Sequence, residues 1–296
     1  MALSEIRGTY TALVTPFKDD GSIDFDKFKE LIDFQIDNGV DGIVVCGSTG
    51  ESATLSAKEK LSLIIDSVEH VNSRIPVIAG TGSNDTQETV SMTLLAKEHG
   101  VDAVLLVAPP YNKPTQEGLY HHYTAIAKSV DIPQIIYNVP SRSGVNIQAE
   151  IQLRLAKENS NIIASKEASG NMDQVMEIIR KKPKGFSVLS GEDSLAVPLI
   201  NMGADGVIAV ISNYAPAQYS EAINQALKGN TKTAKRLHYN LFDLMQLNFI
   251  ETNPTPVKAA LAMMGKIEEN YRLPLLNMQP NNRKKLEKGL KQAKLI

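Results

Sequence analysis

Short apolar and β-branched runs alternate with longer amphipathic segments along the first two thirds of the chain. The apolar runs predict eight β-strands, at residues 9–15, 42–46, 76–80, 103–108, 134–138, 162–166, 187–190 and 206–209. The longer segments follow the helical period and predict helices that include residues 24–38, 56–72, 86–98, 115–129 and 147–158. Strands separated by helices of this length are typical of βα units that build a parallel sheet.

One helix-to-strand connection occurs three times, as NGVDGIVV (38–45), HGVDAVLLV (99–107) and MGADGVIAV (202–210). In each copy a glycine stands where the helix must end in a left-handed residue, and an apolar strand follows. The three copies are unequally spaced, so they do not form a solenoid of fixed period. They predict a regular α/β fold that uses the same connection repeatedly.

Eight strands, each followed by a helix, match a (β/α)8 TIM barrel. We predict the barrel core at residues 1–213 and a helical C-terminal region at residues 214–296 that packs on the barrel. The alternative architecture is an open, doubly wound sheet. Its dinucleotide-binding form is disfavoured because no G-x-G-x-x-G motif follows the first strand.

Composition and charge narrow the possible functions. The 296 residues include 31 Lys+Arg and 33 Asp+Glu, a formal net charge of -2, so we expect neither nucleic acid nor an anionic membrane as a partner. Cys46 is the single cysteine, and the five histidines lack paired metal-ligand spacing, so we expect no disulfide and no metal site. No apolar run reaches the roughly 18 residues of a membrane span, and the first residues lack the pattern of a secretory signal. The sequence predicts a cytoplasmic protein.

A lysine marks the end of the sixth predicted strand, where a barrel carries its functional residues. Lys166 follows the apolar run NIIAS, so its amine is expected to project into the barrel mouth. Desolvation there would lower its pKa and leave a neutral amine able to attack a carbonyl and form a Schiff base. The alternative is an amine paired with a neighbouring carboxylate such as Glu167.

The segment Gly47–Glu51 (GSTGE) follows the second predicted strand and precedes a helix. Its small residues can direct several backbone N–H groups at one anion, with the hydroxyls of Ser48 and Thr49 as further donors. Equally, the glycines could serve only the dihedral angles of a tight turn.

Three further side chains follow the fourth and fifth predicted strands. Tyr137 is a candidate proton shuttle, and the guanidinium of Arg142 suits a carboxylate ligand. Tyr111 lies in the proline-rich segment APPYNKP, which is stiff enough to hold its ring away from its own barrel. Taken singly, each is better explained as an ordinary core, surface or loop residue.

Together these segments resemble the N-acetylneuraminate lyase/dihydrodipicolinate synthase family of Schiff-base aldolases. The resemblance covers almost the whole chain. It comprises seven motifs in order: GSTGES (47–52), AGTGSN (79–84), PYNKPTQEGLY (110–120), YNVPSRSG (137–144), KEASGN (166–171), LSGED (189–193) and NPTPVKAAL (253–261).

The resemblance implies a reaction without a metal or organic cofactor. Lys166 would form an imine with pyruvate, whose carboxylate binds the backbone N–H groups of Ser48 and Thr49. The derived enamine would attack the aldehyde of aspartate 4-semialdehyde, and ring closure would give 4-hydroxy-tetrahydrodipicolinate for lysine and diaminopimelate biosynthesis. Tyr137 matches the proton-transfer tyrosine of the family, and Thr49 matches its relay hydroxyl.

The resemblance also implies residues that line the site and an oligomer. Gly191 and Ile208 match residues whose backbone lines the pocket beside the lysine. Tyr111 matches a tyrosine inserted from the neighbouring subunit, so the working unit is expected to be a homo-oligomer, at least a dimer, with a tetramer as the expected form.

Arg142 separates the branches of the family. The resemblance implies that an arginine here holds the carboxylate of a second substrate, whereas the lyases of sialic acid, whose acceptor is a neutral sugar, carry none. The alternatives are a lyase of sialic or 2-keto-3-deoxy sugar acids, and a non-catalytic sensor, which would be expected to lack Lys166 or Tyr137.

Feedback inhibition by lysine is expected to be weak or absent. Four residues match the lysine site of inhibited members of the family: Ser52, Ala53, Asn84 and Glu88. Ala57, Lys60 and Pro110, however, stand where those members carry two histidines and a tyrosine. The ammonium group of Lys60 would repel the ammonium groups of bound lysine.

Overall fold

A closed barrel of eight parallel strands forms the centre of the protein, as described by a computed structural model of residues 5–296. Neighbouring strands pair in sequence order, and the first strand pairs with the eighth, so the sheet has no free edge. The strands are β1 (Gly8–Ala12), β2 (Gly42–Val45), β3 (Val77–Gly80), β4 (Ala103–Val107), β5 (Gln134–Asn138), β6 (Ile162–Glu167), β7 (Ser187–Ser190) and β8 (Gly206–Ala209). The predicted TIM barrel is confirmed, and the open, doubly wound sheet is wrong.

Helices surround the barrel and extend beyond it. They are α1 (Phe25–Asp37), α2 (Ala57–Val71), α3 (Thr86–Glu98), α4 (Gln116–Ser129), α5 (Pro140–Ser143), α6 (Ala149–Glu158), α7 (Met172–Lys181), α8 (Asp193–Asn201), α9 (Pro216–Leu227), α10 (Thr231–Leu247), α11 (Thr255–Met263) and α12 (Pro280–Gln292). Short 3₁₀ turns lie at Ser52–Thr54 and Ile211–Asn213. In the part of the chain that the structure describes, no helix is long and apolar enough to cross a membrane.

Local sequence explains where the helices begin and end. Before α2, the side chain of Ser56 accepts from the N–H of Glu59 while Glu59 binds back to Ser56, a reciprocal capping box. After α1, α3 and α8, the three repeated glycines Gly39, Gly100 and Gly203 have φ angles of 76°, 85° and 103°. These left-handed residues confirm the predicted turn from helix to strand.

The end of the first strand was predicted wrongly, and one short helix was missed. The first strand ends at Ala12 rather than at residue 15, because the backbone then leaves the sheet: the N–H of Val14 donates to the side chain of Asn213 at 3.0 Å. The short helix α5 was not predicted. It begins with Pro140, whose fixed φ angle suits a first helical turn.

The apolar core forms two layers. A small cluster fills the inside of the barrel and includes Tyr10, Val44, Leu105 and Ile208, while a larger cluster lies between the strands and the helices. Because the barrel interior is filled, the space for a ligand lies at the carboxyl ends of the strands.

The C-terminal helices are joined to the barrel. Helix α9 packs against β1 and β8, and α10 packs against α8 and α9. We therefore assign α9 as the eighth helix of the ring around the barrel. The division of the chain after residue 213 stays a prediction.

Candidate active site

A cavity of about 370 Å³ opens at the carboxyl ends of the strands. Most of the residues singled out in the sequence line this cavity: Ser48, Thr49, Tyr137, Arg142, Lys166 and Gly191. They come from four separate strand ends, which the closed barrel brings to one place. The concave shape and the convergent polar groups are typical of an active site.

Lys166 lies on β6 with its side chain in the barrel mouth. It is 5% exposed, and its Nζ lies 4.1 Å from the centre of the Tyr137 ring. Burial lowers the pKa of Lys166 to about 8; the nearby carboxylates of Asp193 and Glu192 act in the opposite direction, and the charge of Arg142 acts with burial. Above this pH the neutral amine, the nucleophilic form, predominates.

Glu167 is not the partner of this amine. Successive residues of a strand point to opposite faces of the sheet, so Glu167 is buried outside the barrel. Its carboxylate accepts hydrogen bonds from Asn138 at 3.0 Å, from Ser169 at 2.8 Å and from Gln152. The alternative interpretation of Lys166 as half of an ion pair with Glu167 is therefore wrong.

The segment Gly47–Glu51 forms a closed turn at the end of β2. The N–H groups of Gly50 and Glu51 donate to Gly47 and Ser48 at 3.1 and 3.2 Å, and a side chain on Gly50 would come within 3.1 Å of the Leu13 carbonyl. Among residues 5–296, neither the Ser48 nor the Thr49 N–H donates to a protein acceptor. The segment is thus a tight turn that also presents two backbone donors suited to an anion.

Tyr137 projects from β5 into the same cavity. Burial raises the pKa of its hydroxyl to about 12; Arg142 lowers this pKa, Glu192 raises it, and the Ser48 hydroxyl lowers it. The phenol is therefore protonated near neutral pH and can donate a proton to a reacting atom.

Arg142 lies on α5 at the rim of the cavity. One of its guanidinium nitrogens, Nη2, donates to the backbone carbonyl of Asn253 at 3.2 Å. This contact uses part of the guanidinium, and the other donors remain for a ligand. An arginine in this position suits a carboxylate that enters above Lys166.

Two residues expected from the sequence do not line this cavity. Tyr111, with φ +73°, is 89% exposed and takes no part in the cavity wall of its own barrel. Ile208 is fully buried on β8 in the barrel interior, and the neighbouring Val210 lines the cavity instead. Gly191 does line it, and a Cβ there would lie 2.6 Å from the Cβ of Ala168.

The sequence analysis missed Asn253, which precedes α11. Its amide nitrogen donates to the Thr49 hydroxyl at 2.9 Å, while its carbonyl accepts from Arg142. It therefore joins the turn after β2 to α5. The motif NPTPVKAAL contained this residue, but nothing in the motif shows which distant residues it contacts.

Asp193 was also missed, although it belongs to the motif LSGED. Its carboxylate accepts from the N–H groups of Val210 and Ile211 at 3.0 and 2.7 Å. Burial raises its pKa to about 6, while the charge of Lys166 and the two N–H groups lower that pKa.

Within residues 5–296, no three carboxylate, imidazole or thiol groups cluster as a metal site requires.

The fold and this arrangement agree with the comparison to known proteins. A family model described as the dihydrodipicolinate synthetase family matches residues 5–293, and the chain belongs to that family. It is 53% identical over 290 residues to the 4-hydroxy-tetrahydrodipicolinate synthase of Syntrophus aciditrophicus, covering 98% of this chain and 99% of the relative.

The chain is also similar to solved structures, in both backbone and sequence. The crystal structure of dihydrodipicolinate synthase from Aquifex aeolicus matches with a TM-score of 0.96 and 49% identity, over 98% of this chain and 99% of that one. The chloride-inhibited enzyme of Acinetobacter baumannii, complexed with pyruvate, matches with a TM-score of 0.96 and 43% identity, over 98% and 100% of the two chains.

Proposed function

We propose that the protein condenses pyruvate with L-aspartate 4-semialdehyde to 4-hydroxy-tetrahydrodipicolinate, the first committed step of diaminopimelate and lysine biosynthesis. It is a lyase of the class I aldolase type. The observation that carries the proposal is the buried amine of Lys166 in the cavity that Arg142 and the turn after β2 also line. The 4-hydroxy-tetrahydrodipicolinate synthases to which it is similar support the same reaction.

The first step joins pyruvate to the enzyme. The neutral Nζ of Lys166 attacks the keto carbon of pyruvate, and loss of water gives an imine. The N–H groups of Ser48 and Thr49 hold the pyruvate carboxylate. Loss of a methyl proton then gives the enamine, whose carbon is the nucleophile for the second substrate.

In the second step the enamine carbon attacks the aldehyde carbon of aspartate 4-semialdehyde, and the aldehyde oxygen must take up a proton. Tyr137 lies against the amine and carries a proton at neutral pH. Thr49 contributes its hydroxyl, held by Asn253. We assign Tyr111 as the third member of this relay, supplied by a second copy of the chain, since its ring is exposed and does not line its own cavity. The working unit is then at least a dimer, and we propose a tetramer; cytoplasmic location stays a prediction.

Replacing Tyr137 with phenylalanine should lower kcat by about 10²–10⁴-fold, the usual contribution of a positioned proton-transfer group. The ring and its contact with Lys166 remain, so the variant should keep its fold. Steady-state kinetics with both substrates measure the effect. A matched control is Tyr239→Phe, on the exposed face of α10, for which kcat should not change. Unchanged kcat in Tyr137→Phe would rule out the proposed proton transfer.

Borohydride trapping with pyruvate tests the proposal directly. A reduced adduct on Lys166, located by peptide mass mapping and absent without pyruvate, establishes the Schiff base. An enzyme that forms this adduct but turns over only a sialic acid or a 2-keto-3-deoxy sugar acid would belong to the alternative lyases. Folded protein without any adduct would support a sensor instead.

Lysine should inhibit the enzyme weakly or not at all. A second cavity adjoins the first and is lined by Ser52, Lys60, Asn84, Glu88 and Pro110, among other residues. The ammonium group of Lys60 in this wall would repel the ammonium groups of lysine. A lysine titration of the reaction measures the effect, and clear sub-millimolar inhibition would contradict the prediction. Lys60→His should strengthen any inhibition, whereas Lys58→His, two residues earlier on another face of α2 and outside the cavity wall, should not.

A further inference from the structure

A second buried lysine, Lys258 on α11, takes no part in the proposed chemistry. Its Nζ donates to Glu51 Oε1 at 2.5 Å, and the two side chains are 0% and 1% exposed. The same Nζ donates to the Asn270 carbonyl at 2.9 Å and lies 4.1 Å from the centre of the Phe17 ring. This ion pair is therefore shielded from solvent on all sides.

Glu51 is the last residue of the turn that presents the two unpaired N–H groups. It has a left-handed φ of 55°, and its second carboxylate oxygen accepts from the N–H of Arg272 at 3.3 Å. Two residues earlier, the Thr49 hydroxyl is held by Asn253. The turn is thus attached to the start of α11 at two points, at Thr49 and at Glu51.

A buried ion pair is a poor way to gain stability, because desolvation offsets most of the attraction between the charges. Such a pair does keep its two side chains together, since separating them would leave each charge buried without a partner, which is strongly unfavourable. Here one partner belongs to the turn that would bind an anion, and the other belongs to a helix more than 200 residues later.

We propose that the Glu51–Lys258 pair is a positioning device that fixes the direction of the Ser48 and Thr49 N–H groups toward the pyruvate carboxylate. The inference rests on the proposed function and adds a role for two residues that touch no substrate. Because these N–H groups bind pyruvate but do not react, loss of the pair should weaken pyruvate binding more than it slows turnover.

The test is the double variant Glu51→Gln/Lys258→Met, which removes both charges at similar volume and leaves no charge unpaired. We expect KM for pyruvate to rise about tenfold and kcat to stay within about threefold, since the loss of one hydrogen bond to a carboxylate weakens binding by about that factor. The pyruvate concentration that half-saturates borohydride labelling of Lys166 should rise by the same factor. Circular dichroism and thermal unfolding monitor the fold.

The matched control is Lys182→Met. Lys182 contacts Asp205, which immediately precedes β8 at the opposite end of the barrel, and the two side chains are only 21% and 14% exposed. The KM of the Lys182→Met variant for pyruvate should equal that of the unaltered protein. If the double variant does not fold, Glu51→Gln alone, which keeps an oxygen to accept from Lys258, is measured in the same way.

An unchanged KM for pyruvate in a folded variant would overturn the inference, as would an equal rise in Lys182→Met. Failure of the unaltered protein to form any adduct would instead contradict the proposed function, and the inference with it.

Discussion

Replacement of Lys166 with methionine is expected to abolish the pyruvate adduct and to lower kcat by about 10⁴-fold or more, as loss of a covalent nucleophile does elsewhere. No other amine lines the cavity in the part of the chain that the structure describes. Borohydride labelling followed by mass spectrometry, together with steady-state rates, measures both effects.

The same variant should be at least as stable as the unaltered protein. Methionine fills a similar volume, and the desolvated amine whose pKa burial lowers is removed. A thermal unfolding midpoint that is unchanged or raised would show that activity was lost at the site rather than through the fold. Lys182→Met serves as the control and should keep both adduct and rate. An adduct that persists on another lysine would refute the assignment of Lys166.

Arg142 should determine the use of the second substrate. A hydrogen bond to a charged group is worth about 1.5–3 kcal/mol, so Arg142→Met should lower kcat/KM for aspartate 4-semialdehyde about 10–10²-fold. Pyruvate labelling of Lys166 should remain, because we propose that the turn after β2, and not Arg142, holds that carboxylate. Kinetics with each substrate varied in turn separate the two effects.

Arg142→Lys is the informative companion variant. It keeps a positive charge near Lys166 and Tyr137 but loses the planar, two-pronged donor geometry. We expect most of the loss to persist in it. If Arg142→Met changed only the concentration dependence of pyruvate, the arginine would belong to the first substrate and the assignment would be wrong.

The alternation of apolar runs and helical segments was enough to predict the barrel, since each βα unit is defined by local periodicity. The repeated glycines were also predictable from local sequence, because few residues other than glycine adopt a left-handed backbone conformation. The end of β1 was not, since the backbone of Val14 leaves the sheet for a side chain 199 residues away. Local pattern carries no information about such a contact.

Some residues of the candidate site could likewise be predicted from the sequence, and others could not. Lys166, Tyr137 and the turn after β2 could be predicted because a parallel barrel gathers the ends of its strands at one mouth. Asn253 and Lys258 could not, because their partners Thr49 and Glu51 lie 204 and 207 residues earlier in the chain. Pairing across such distances is decided by packing of the completed chain.

Because Asn253 and Lys258 lie late in the chain, their contacts determine when the site is completed during synthesis. The strands and the residues that line most of the mouth leave the ribosome first, and the barrel sheet is complete once β8 has been made. The turn after β2 gains its contacts with Asn253, Lys258 and Arg272 only when α11 and the segment that follows it have been made. We therefore expect a nascent chain to complete its pyruvate site only when synthesis is nearly finished, and a chain that ends after β8 to lack both contacts.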